Sequence, residues 1–577
     1  MRGRRPARPC RPGARRGERA VPRRPRARPR RGASRRAPRR AGGRARRGRA
    51  RGRTVRKLLI AERGLVAVRV ARAAADLDLP SVAVFAPDDV DALHVRAADE
   101  AWALDELPGT DAYRDMTALL DVAERSGADA VHPGCGPLSE SAEFARRVLA
   151  AGLTWVGPDP ETMELLGDKV SARALADSVG APLVVGTSEP IRSADEAVAF
   201  AQRHGLPIAL KAAHGGGGLG LRVARRLDEV ADLLDSAVRE SAAVFGRGEV
   251  FVEQYLDRPR HVEAQLLGDG EGRIVVVGTR ECSVQRRHQK LVGEAPAPHL
   301  TDEQLEVVTS TSVALGSAVS YRGAGTVEFL VSRAGQVSFL EVGTALPLEH
   351  VATEQATGVD LVRQQLLVAG GLGLDLVDVP ESRGHTISFR VTAEDAGRGF
   401  LPAPAPVSRL EVPGGPGVRI DSGVVAGSDV PAGRDPLLLT VVVTGRDRGA
   451  ALSRARRALD GLVVEGPATT ARFHRLLVDD PAFVDEHEPT VHTRWIETEC
   501  EWLDELASAT PEAAAGPESL RTWVVVDGRR VPLVLPLADV DDRAPDSLGA
   551  EALVAGIAAA AVEADVAGRA DRGSSAS

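Results

Sequence analysis

The pattern of apolar and polar positions after Arg56 predicts a strand, a helix and a second strand in turn. Residues 57–61 form a short apolar run, and Gly64 marks the turn after it. Apolar side chains then recur at helical spacing, at Val66, Val70, Ala73 and Leu77. Residues 81–85 are again apolar and predict the second strand. This order is typical of a βαβ unit, in which helices pack against a parallel sheet.

Turn and capping residues mark the next elements. Residues 130–132 predict a strand that ends in the glycine-rich turn Pro133-Gly134-Cys135-Gly136. Asp159-Pro160 combines a cap with Pro at the first helical position. Ser193, with Glu196 three residues later, predicts a capping box, and the helix that it starts ends at Gly205.

The second half of the chain has a different pattern. After Val250 the predicted strands become more frequent, which favours an α+β arrangement. Residues 500–540 predict a small β segment. Residues 541–577 are rich in Ala, Asp and Ser and predict a mobile tail.

The distribution of charge divides the 577 residues into two segments of opposite net charge. Residues 1–53 contain 24 Arg and one acid, a net charge of +23, whereas the remainder has 50 basic and 79 acidic side chains, a net charge of −29. The first segment is almost entirely Arg, Pro, Ala, Gly and Ser and cannot bury a core, so we predict that residues 1–54 are a disordered arm.

Two interpretations of this arm stay open. One is electrostatic binding to nucleic acid. The other, favoured by the GC-rich codons that encode these residue types, is that residues 1–54 are not translated. The acidic body argues against nucleic acid as the main partner.

Cysteine usage and hydropathy exclude several classes of protein. Four Cys residues are too few for a disulfide scaffold and fit a reducing compartment, so we expect a cytoplasmic protein. No Cys-x-x-Cys or His/Cys cluster suggests a zinc site. The longest apolar stretch, residues 552–562, is too short to span a bilayer, which argues against a membrane protein.

A run of glycines lies between two predicted strands, residues 208–211 and 221–224. The run is Gly215-Gly216-Gly217-Gly218, and Lys211 precedes it. Backbone N–H groups in such a segment can close over phosphates without obstruction by side chains. We interpret it as a nucleotide-binding flap; a flexible linker is the alternative.

A predicted hairpin brings two acids together. Residues 326–330 and 337–341 alternate as strands, with Ala334-Gly335 as a two-residue turn. In that register residue 331 faces residue 338, and Glu328 faces Glu341. Two carboxylates about 5 Å apart repel each other, and a divalent cation between them removes that repulsion. The alternative is a pair of solvated surface glutamates.

Together these residues resemble biotin carboxylase, the ATP-grasp subunit of acyl-CoA carboxylases. The resemblance runs from about Arg56 to about Glu497 and is carried, in order, by Ile60-Ala61-Glu62-Arg63-Gly64, His132-Pro133-Gly134, Leu138-Ser139-Glu140, Gly167-Asp168-Lys169, the glycine run, Pro259-Arg260-His261-Val262-Glu263, Cys282-Ser283-Val284-Gln285-Arg286-Arg287-His288-Gln289-Lys290 and Arg322-Gly323-Ala324-Gly325-Thr326-Val327-Glu328-Phe329. Residues Thr493-Arg494-Trp495-Ile496-Glu497 and Asp527-Gly528-Arg529-Arg530-Val531 resemble the linker region of actinobacterial α chains.

The resemblance implies a fold of mixed α/β and α+β class. It places a Rossmann-like pre-ATP-grasp domain, the biotin carboxylase N-terminal domain, over residues 55–168. An ATP-grasp fold would follow over residues 169–385, with a flap subdomain at about 184–256. A C-terminal biotin-carboxylase α+β domain would cover residues 386–497, and residues 498–540 would be a linker.

The resemblance also implies the residues of the nucleotide site. Lys169 and Lys211 would hold the ATP phosphates, with Gly217 and Gly218 over them. The adenine would be bound by Glu253, Gln254, Tyr255, Leu256, His261 and His288. Glu328 and Glu341 would hold Mg²⁺ or Mn²⁺, as the hairpin register also indicates.

The implied reaction uses ATP to activate bicarbonate as carboxyphosphate, which then carboxylates N1′ of biotin. In this scheme Glu349 is the base and Lys290 contacts bicarbonate. Arg390 stabilises the developing biotin anion.

Several residues depart from the family pattern. Gly343 replaces an Asn metal ligand, Ala345 replaces the Arg that clamps bicarbonate, and Pro347 replaces a Gln contact. Further departures, from Tyr, Phe, Arg and Lys, are Cys135, Pro137, Leu219 and Thr440. These changes indicate that the residues implied to bind ATP follow the family pattern, whereas the residues implied to bind bicarbonate do not.

The biotin carrier is not found in this sequence, because none of the three Met residues is followed by Lys-Met. Biotin would therefore be a substrate on another chain. Implied partners are carrier and carboxyltransferase subunits, in a homodimer or a larger carboxylase complex. Two alternatives stay open: a nucleotide-binding pseudoenzyme or regulatory paralogue, and an ATP-grasp ligase for another carboxylate.

Overall fold

The computed structural model describes residues 55–506, apart from residues 105–108, 188, 214–220, 246, 379–380, 486, 488–489 and 504–505, together with residues 519–526 and 529–536. The predicted arm, the predicted tail and the glycines Gly217 and Gly218 lie outside these described residues. Two compact units divide after Ala507.

The first part of the larger unit is a parallel sheet with helices. Its strands are β1 (Leu58–Ile60), β2 (Ser81–Phe85), β3 (Glu100–Ala103), β4 (Ala130–His132) and β5 (Thr154–Trp155). Its helices are α1 (Gly64–Asp76), α2 (Leu93–Ala97), α3 (Met116–Ser126), α4 (Ala142–Ala150) and α5 (Pro160–Gly167). The strand order is β3-β2-β1-β4-β5, so the winding direction reverses between β1 and β4. This arrangement confirms the Rossmann-like prediction and brings the loops after β1 and β4 side by side.

The central part holds six helices and ten strands. The helices are α6 (Lys169–Ser178), α7 (Ala194–His204), α8 (Val230–Phe245), α9 (Asp302–Ala318), α10 (His350–Thr357) and α11 (Leu361–Ala369). The strands are β6 (Ile208–Ala212), β7 (Arg222–Ala224), β8 (Val250–Gln254), β9 (Arg260–Asp269), β10 (Ile274–Glu281), β11 (Gln285–Arg286), β12 (Gln289–Lys290), β13 (Val292–Ala295), β14 (Arg322–Val331) and β15 (Val337–Gly343). Strands β7, β6 and β8 form a separate antiparallel sheet beside α7 and α8.

The last part of the larger unit adds seven strands, β16 (His385–Thr392), β17 (Glu394–Asp395), β18 (Leu401–Pro402), β19 (Arg409–Glu411), β20 (Val418–Ser422), β21 (Leu437–Gly445) and β22 (Val463–Glu465). Its helices are α12 (Arg448–Asp460), α13 (Ala471–Leu477), α14 (Pro481–Val484) and α15 (Trp495–Thr498). β16 pairs with β13, which joins the central and last parts in one eight-stranded antiparallel sheet, β15-β14-β9-β10-β13-β16-β21-β20.

Both predicted helices start where the caps were predicted, but the Asp159 side chain makes no capping hydrogen bond and the box at Ser193 is incomplete. Asp159 precedes α5 with Pro160 at its first position, and the Ser193 hydroxyl accepts from the Glu196 backbone N–H at the start of α7. The Glu196 carboxylate, however, accepts from the backbone N–H of Arg192 and not from that of Ser193. The predicted capping box is therefore only half formed, because the acid satisfies the donor one residue earlier.

The β14–β15 hairpin has the predicted acid pair but not the predicted turn. Residues 331 and 337 are partners and the Ser332 backbone N–H donates to the Gln336 carbonyl at 2.9 Å, so residues 333–335 form a three-residue turn, with Gly335 at φ +82°. The predicted pairing of 331 with 338 was wrong by one residue. A β-bulge at Leu340 then restores the register, and Glu328 does face Glu341.

A buried carboxylate connects the three parts of the larger unit. Glu354 on α10 accepts from Arg69 of α1 at 2.6 Å and from Arg419 of β20 at 3.0 Å. Burial alone would raise the pKa of Glu354, but His350 and the guanidinium charges of Arg69 and Arg419 outweigh it and lower the pKa to about 2. Its charge therefore holds two cations from sequence-distant elements in one place.

The smaller unit contains an antiparallel hairpin, β23 (Ser519–Val526) paired with β24 (Arg529–Pro536), within the segment where a small β structure was predicted. Across the described part of the chain, no helix combines the length and the apolar character that crossing a bilayer requires.

Glu354→Gln is expected to destabilise the protein by about 3–5 kcal/mol at pH 7, the cost of removing one partner from a buried ion pair. Because the pKa of Glu354 lies at about 2 in the folded protein and near 4.5 when unperturbed, its contribution is present above pH 4.5 and is lost as pH falls towards 2. The variant should lose that part of the acid dependence in urea denaturation followed by circular dichroism. Glu306→Gln, on the exposed face of α9, is the control and should leave the acid profile unchanged.

Candidate active site

A cavity of about 220 Å³ lies between the three-stranded sheet β7-β6-β8 and the eight-stranded sheet, called the large sheet below. Its walls include every described residue that was predicted to bind ATP: Lys169, Lys211, Glu253, Gln254, Tyr255, Leu256, His261 and His288. Lys290, Glu328 and Glu341 line the same cavity. The structure thus brings together residues that are separated by up to 172 positions in the sequence.

Two lysines enter the cavity from different elements. Lys169 is the first residue of α6, directly after the capping residue Asp168, whose carboxylate accepts from Ser171 N–H at 2.8 Å. Burial lowers the pKa of Lys169, although the charge of Glu341 acts in the opposite direction. Lys211, on β6, forms an ion pair with Glu253 of the neighbouring β8. Both cations are therefore held at the wall by backbone elements and not by loops.

Four charged residues form a row across neighbouring strands of the large sheet. Arg280 of β10 pairs with Glu263 of β9, Glu263 with Glu328 of β14, and Glu328 with Glu341 of β15. Side chains of directly paired residues share one face of a sheet. Three carboxylates in succession repel one another, so this row needs cations.

Lys290 supplies one of these cations. Its Nζ contacts Glu263 and lies 3.0 Å from Glu328 Oε1. Burial opposes the charge of Glu328, but Lys290 and His261 outweigh burial and lower the pKa of this carboxyl. The same carboxylates raise the pKa of Lys290 well above its usual range in spite of burial. The pair is therefore ionised at neutral pH.

His261 has its tautomer set by its neighbours. Gln285 Nε2 donates to His261 Nδ1 at 3.2 Å, so His261 Nε2 carries the proton and donates to Glu328 Oε2 at 2.7 Å. His261, Glu263 and Glu328 place their ligand atoms within 4.8 Å of one another, a spacing that suits a metal ion, but His261 would have to give up its Nε2 proton to bind one.

Glu341 stands at the outer end of the row. Among the hydrogen bonds of the described residues, its carboxylate has no cationic partner comparable to Lys290. Burial raises the pKa of Glu140, and the nearby charge of Glu341 raises it further. Facing carboxylates with oxygen ligands fit Mg²⁺ better than a soft metal. Glu328 and Glu341 would therefore hold such an ion, which would shield the charges of nucleotide phosphates.

Sequence reasoning missed Arg280. This side chain is fully buried and donates to Glu263 at 2.7 Å, to Gln265 at 2.7 Å and to Thr353 at 2.8 Å. Thr353 lies on α10, one turn after Glu349. The alternation of polar residues at 261, 263 and 265 was the available signal, since it places them on one face of a strand.

The residues predicted for the carboxylation step form a separate pair. Glu349 caps α10, and Arg390 reaches it from β16 in a direct ion pair. Glu349 is 4% exposed and packs next to Gly293, where an added Cβ would lie 3.1 Å from its Cγ. The positive charge of Arg390 is therefore already balanced by a carboxylate, as the charge of Lys290 is.

The three departures from the family pattern lie on the segment between β15 and α10. Gly343, Ala345 and Pro347 are partly exposed, whereas the alternate residues Thr344 and Leu346 are buried, so the three departures lie on one side of the segment as far as Pro347. The chain then turns, and Glu349 is buried against Arg390. The alternation therefore does not extend to Glu349, because the extended segment ends at this turn.

Two lysines and a pair of facing acids in a cavity between two sheets are typical of an ATP-grasp protein. Family models match three successive segments: the N-terminal domain of biotin carboxylase over residues 54–163, the ATP-binding domain of the carbamoyl-phosphate synthase L chain over residues 168–377, and the C-terminal domain of biotin carboxylase over residues 388–498.

Curated relatives agree with these matches. The chain is 53% identical over 487 residues to the biotin-dependent acyl-coenzyme A carboxylase alpha3 subunit of Mycobacterium leprae, covering 84% of this chain and 81% of the relative. It is 41% identical over 432 residues to biotin carboxylase of Pseudomonas aeruginosa, covering 74% and 96%. The chain belongs to the biotin carboxylase family.

Solved structures show the same fold. Biotin carboxylase of Campylobacter jejuni, in complex with βγ-ATP, superposes with a TM-score of 0.74 at 34% identity, over 77% of this chain and 98% of that one. The biotin carboxylase domain dimer of Hydrogenobacter thermophilus 2-oxoglutarate carboxylase, in complex with MgADP, ADP and bicarbonate, gives 0.75 at 35% identity, over 78% and 99%.

Arg280→Lys is expected to destabilise the protein by about 2–4 kcal/mol, because one ammonium cannot replace the bonds to Glu263, Gln265 and Thr353. Chemical denaturation would measure this loss. Arg446→Lys, in an exposed pair with Asp447, is the control and should change stability by less than about 1 kcal/mol. A similar loss in both variants would show that the buried contacts of Arg280 contribute nothing specific.

Proposed function

We propose that this chain is an ATP-dependent biotin carboxylase component of an acyl-CoA carboxylase, with a weakened bicarbonate site. The observation that supports the proposal is the convergence of all described nucleotide-site residues on one cavity, with the facing pair Glu328 and Glu341 at its wall. The M. leprae relative is named as a subunit of such a carboxylase.

In the proposed reaction, Lys169 and Lys211 bind the phosphates of ATP, and the segment from Glu253 to Leu256 lies against the adenine. Mg²⁺ held by Glu328 and Glu341 would supply charge neutralisation on the phosphates. Bicarbonate oxygen attacks the γ-phosphorus, which gives carboxyphosphate and ADP. Glu349 accepts the proton of bicarbonate. Carboxyphosphate then breaks at its C–O bond into CO2 and phosphate, and the phosphate takes the N1′ proton of biotin, which a carrier on another chain presents. Arg390 stabilises the resulting biotin anion, and its N1′ attacks CO2 to form carboxybiotin.

Charge explains the proposed weakness. A bicarbonate anion needs a cation that is not already matched, yet Lys290 is paired with Glu263 and Glu328, and Arg390 is paired with Glu349. The methyl side chain of Ala345 carries no charge and cannot replace the Arg that binds bicarbonate in the family pattern. Losing one charge-assisted contact costs about 1.5–3 kcal/mol in binding.

The same pairing favours a second candidate, a nucleotide-binding paralogue without turnover that assembles with carboxylase subunits. The two candidates differ in one measurement, bicarbonate-dependent ATP hydrolysis with free biotin. Hydrolysis that needs a different acid would instead indicate an ATP-grasp ligase for that acid.

Lys211→Ala is expected to raise the Kd for ATP at least tenfold, because it removes a phosphate-facing cation. Isothermal titration with MgATP would measure the change. Lys57→Ala removes a lysine that is paired with Glu100 in the N-terminal sheet and should leave the Kd unchanged. Equal affinity in both variants would contradict the assignment of this cavity to ATP.

Glu328→Gln is expected to reduce the Mg²⁺ dependence of ATP binding, since a neutral amide neither repels Glu341 nor attracts the ion as a carboxylate does. The measurement is the Kd for ATP at increasing Mg²⁺ concentration. Glu306→Gln on α9 serves as the matched control. An unaltered Mg²⁺ dependence in Glu328→Gln would count against this metal site.

Ala345→Arg is expected to increase biotin- and bicarbonate-dependent ATPase activity, which we expect to be weak in the natural protein. Ala345→Gln tests length without charge and should not increase activity. The full restoration adds Gly343→Asn and Pro347→Gln. A Cβ at residue 343 would lie 2.6 Å from Thr326 Oγ1, so that hydroxyl must rotate away first. Robust turnover by the natural sequence would contradict a weakened site.

A further inference from the structure

The short hairpin β11–β12 contributes three residues to the wall of the nucleotide cavity: Gln285, His288 and Lys290. Two of them are fixed by side-chain contacts within the site. Gln285 donates to His261 at 3.2 Å, and the Lys290 ammonium contacts Glu263. His288 lies in the turn between the two strands, so the direction of its side chain depends on the conformation of that turn.

The turn of this hairpin has a strained backbone. The strands pair so that only Arg287 and His288 lie between them. Their φ angles are +48° and +67°, so both residues adopt the left-handed conformation. Two-residue hairpin turns of this kind favour Asn and Gly, because a larger side chain crowds the backbone there. Such a conformation persists when the surrounding structure holds it.

A carboxylate from a distant part of the chain holds this turn. The backbone N–H of Arg287 donates to Glu497 Oε1 at 2.7 Å, across 210 positions of the sequence. Hydrogen bonds to an ionised acceptor are stronger than those between neutral groups. Burial lowers the pKa of His288, and the charge of Glu497 opposes that effect. The carboxylate therefore acts on both residues of the turn.

The segment that carries this carboxylate is itself anchored beside the cavity. On α15, Trp495 is 3% exposed. The backbone N–H of Thr493 donates to the Pro259 carbonyl at 3.0 Å, and both of these residues line the cavity. Glu499, just after α15, pairs with Arg258 at 2.9 Å. The acceptor for the turn is thus presented by a fixed part of the chain.

We propose that Glu497 is a positioning residue of the nucleotide site: its carboxylate stabilises the strained turn and thereby directs His288 into the cavity. Among the described residues, those that line the cavity do not include Glu497, so its effect on a nucleotide passes through the turn. This role rests on the assignment of the cavity to ATP, but the order of the turn can be measured without nucleotide.

The first test is isothermal titration of the full chain with MgATP. Glu497→Ala should raise the Kd about fivefold or more, the effect of losing a hydrogen bond to a charged group. Glu497→Gln keeps an acceptor oxygen and should stay within about twofold of the natural chain. Glu501→Ala, exposed on the same segment, is the control. An unchanged Kd in Glu497→Ala, or an equal loss in Glu497→Gln, would overturn the proposal.

Arg287→Gly supplies a background in which the turn is no longer strained. Glycine adopts a positive φ without steric cost, so the turn needs no external hold. In this background Glu497→Ala should change the Kd for MgATP by less than about twofold, since the carboxylate has no strain left to offset. A loss as large as in the natural chain would overturn the proposal, because it would show a general structural effect.

Hydrogen–deuterium exchange of the nucleotide-free protein is the second measurement. Glu497→Ala should increase deuterium uptake in peptides that span residues 285–290, whereas Glu501→Ala should not. Unchanged uptake elsewhere shows that each variant is folded. Unchanged uptake at residues 285–290 in Glu497→Ala would overturn the proposal whether or not ATP binds. Absence of MgATP binding by the natural chain, with uptake altered as expected, would reject the assignment of the cavity to ATP and retain Glu497 as the residue that holds the turn.

Discussion

The site depends on a buried carboxylate that stays charged. Glu263 has no exposed surface, and burial would favour its neutral form, yet Lys290 and Arg280 lower its pKa far below the usual range. Because Glu263 is ionised, it holds Lys290 beside Glu328 and holds Arg280 in reach of Thr353 on the helix that Glu349 caps. One charge thus positions groups of the nucleotide cavity and groups of the carboxylation pair. Removing it would leave the buried cation Arg280 without its acid and Lys290 with Glu328 alone, which costs more than the pair contributes.

Local patterns predicted the parallel sheet well and the buried charges poorly. Strands 81–85 and 130–132 were predicted to the residue, because strands buried on both faces read as continuous apolar runs. The pairing of Glu328 with Glu341 was also correct, although the turn has three residues and a bulge corrects the register. Arg280 was missed because a charged residue that is fully buried has the same sequence signature as one on the surface. Only the three-dimensional pairing of β9 with β10 shows its partners.

Most departures from the family pattern among the described residues lie outside the buried charge clusters, although Thr440 is buried on β21 opposite Arg390 of β16. Gly343, Ala345 and Pro347 lie on a partly exposed segment, and Cys135 and Pro137 line a cavity, whereas the charge row and the Glu354 hub keep every partner. Substitution in a cavity wall or a loop leaves packing and buried pairs unchanged, so the fold tolerates it. Stability and specificity are for this reason separable in this chain. The nucleotide cavity can persist while the chemistry beside it changes.

The bulge at Leu340 has a consequence for how the hairpin tip can vary. It lies between the three-residue loop and the facing glutamates, so it absorbs a mismatch of one residue before the chain reaches them. A change of loop length at residues 333–335 would shift only the pairs from Phe329 to Val331, provided that the bulge opened or closed in compensation. Insertions or deletions at the tip of the hairpin can therefore be compensated at the bulge, so that Glu328 and Glu341 stay opposite each other.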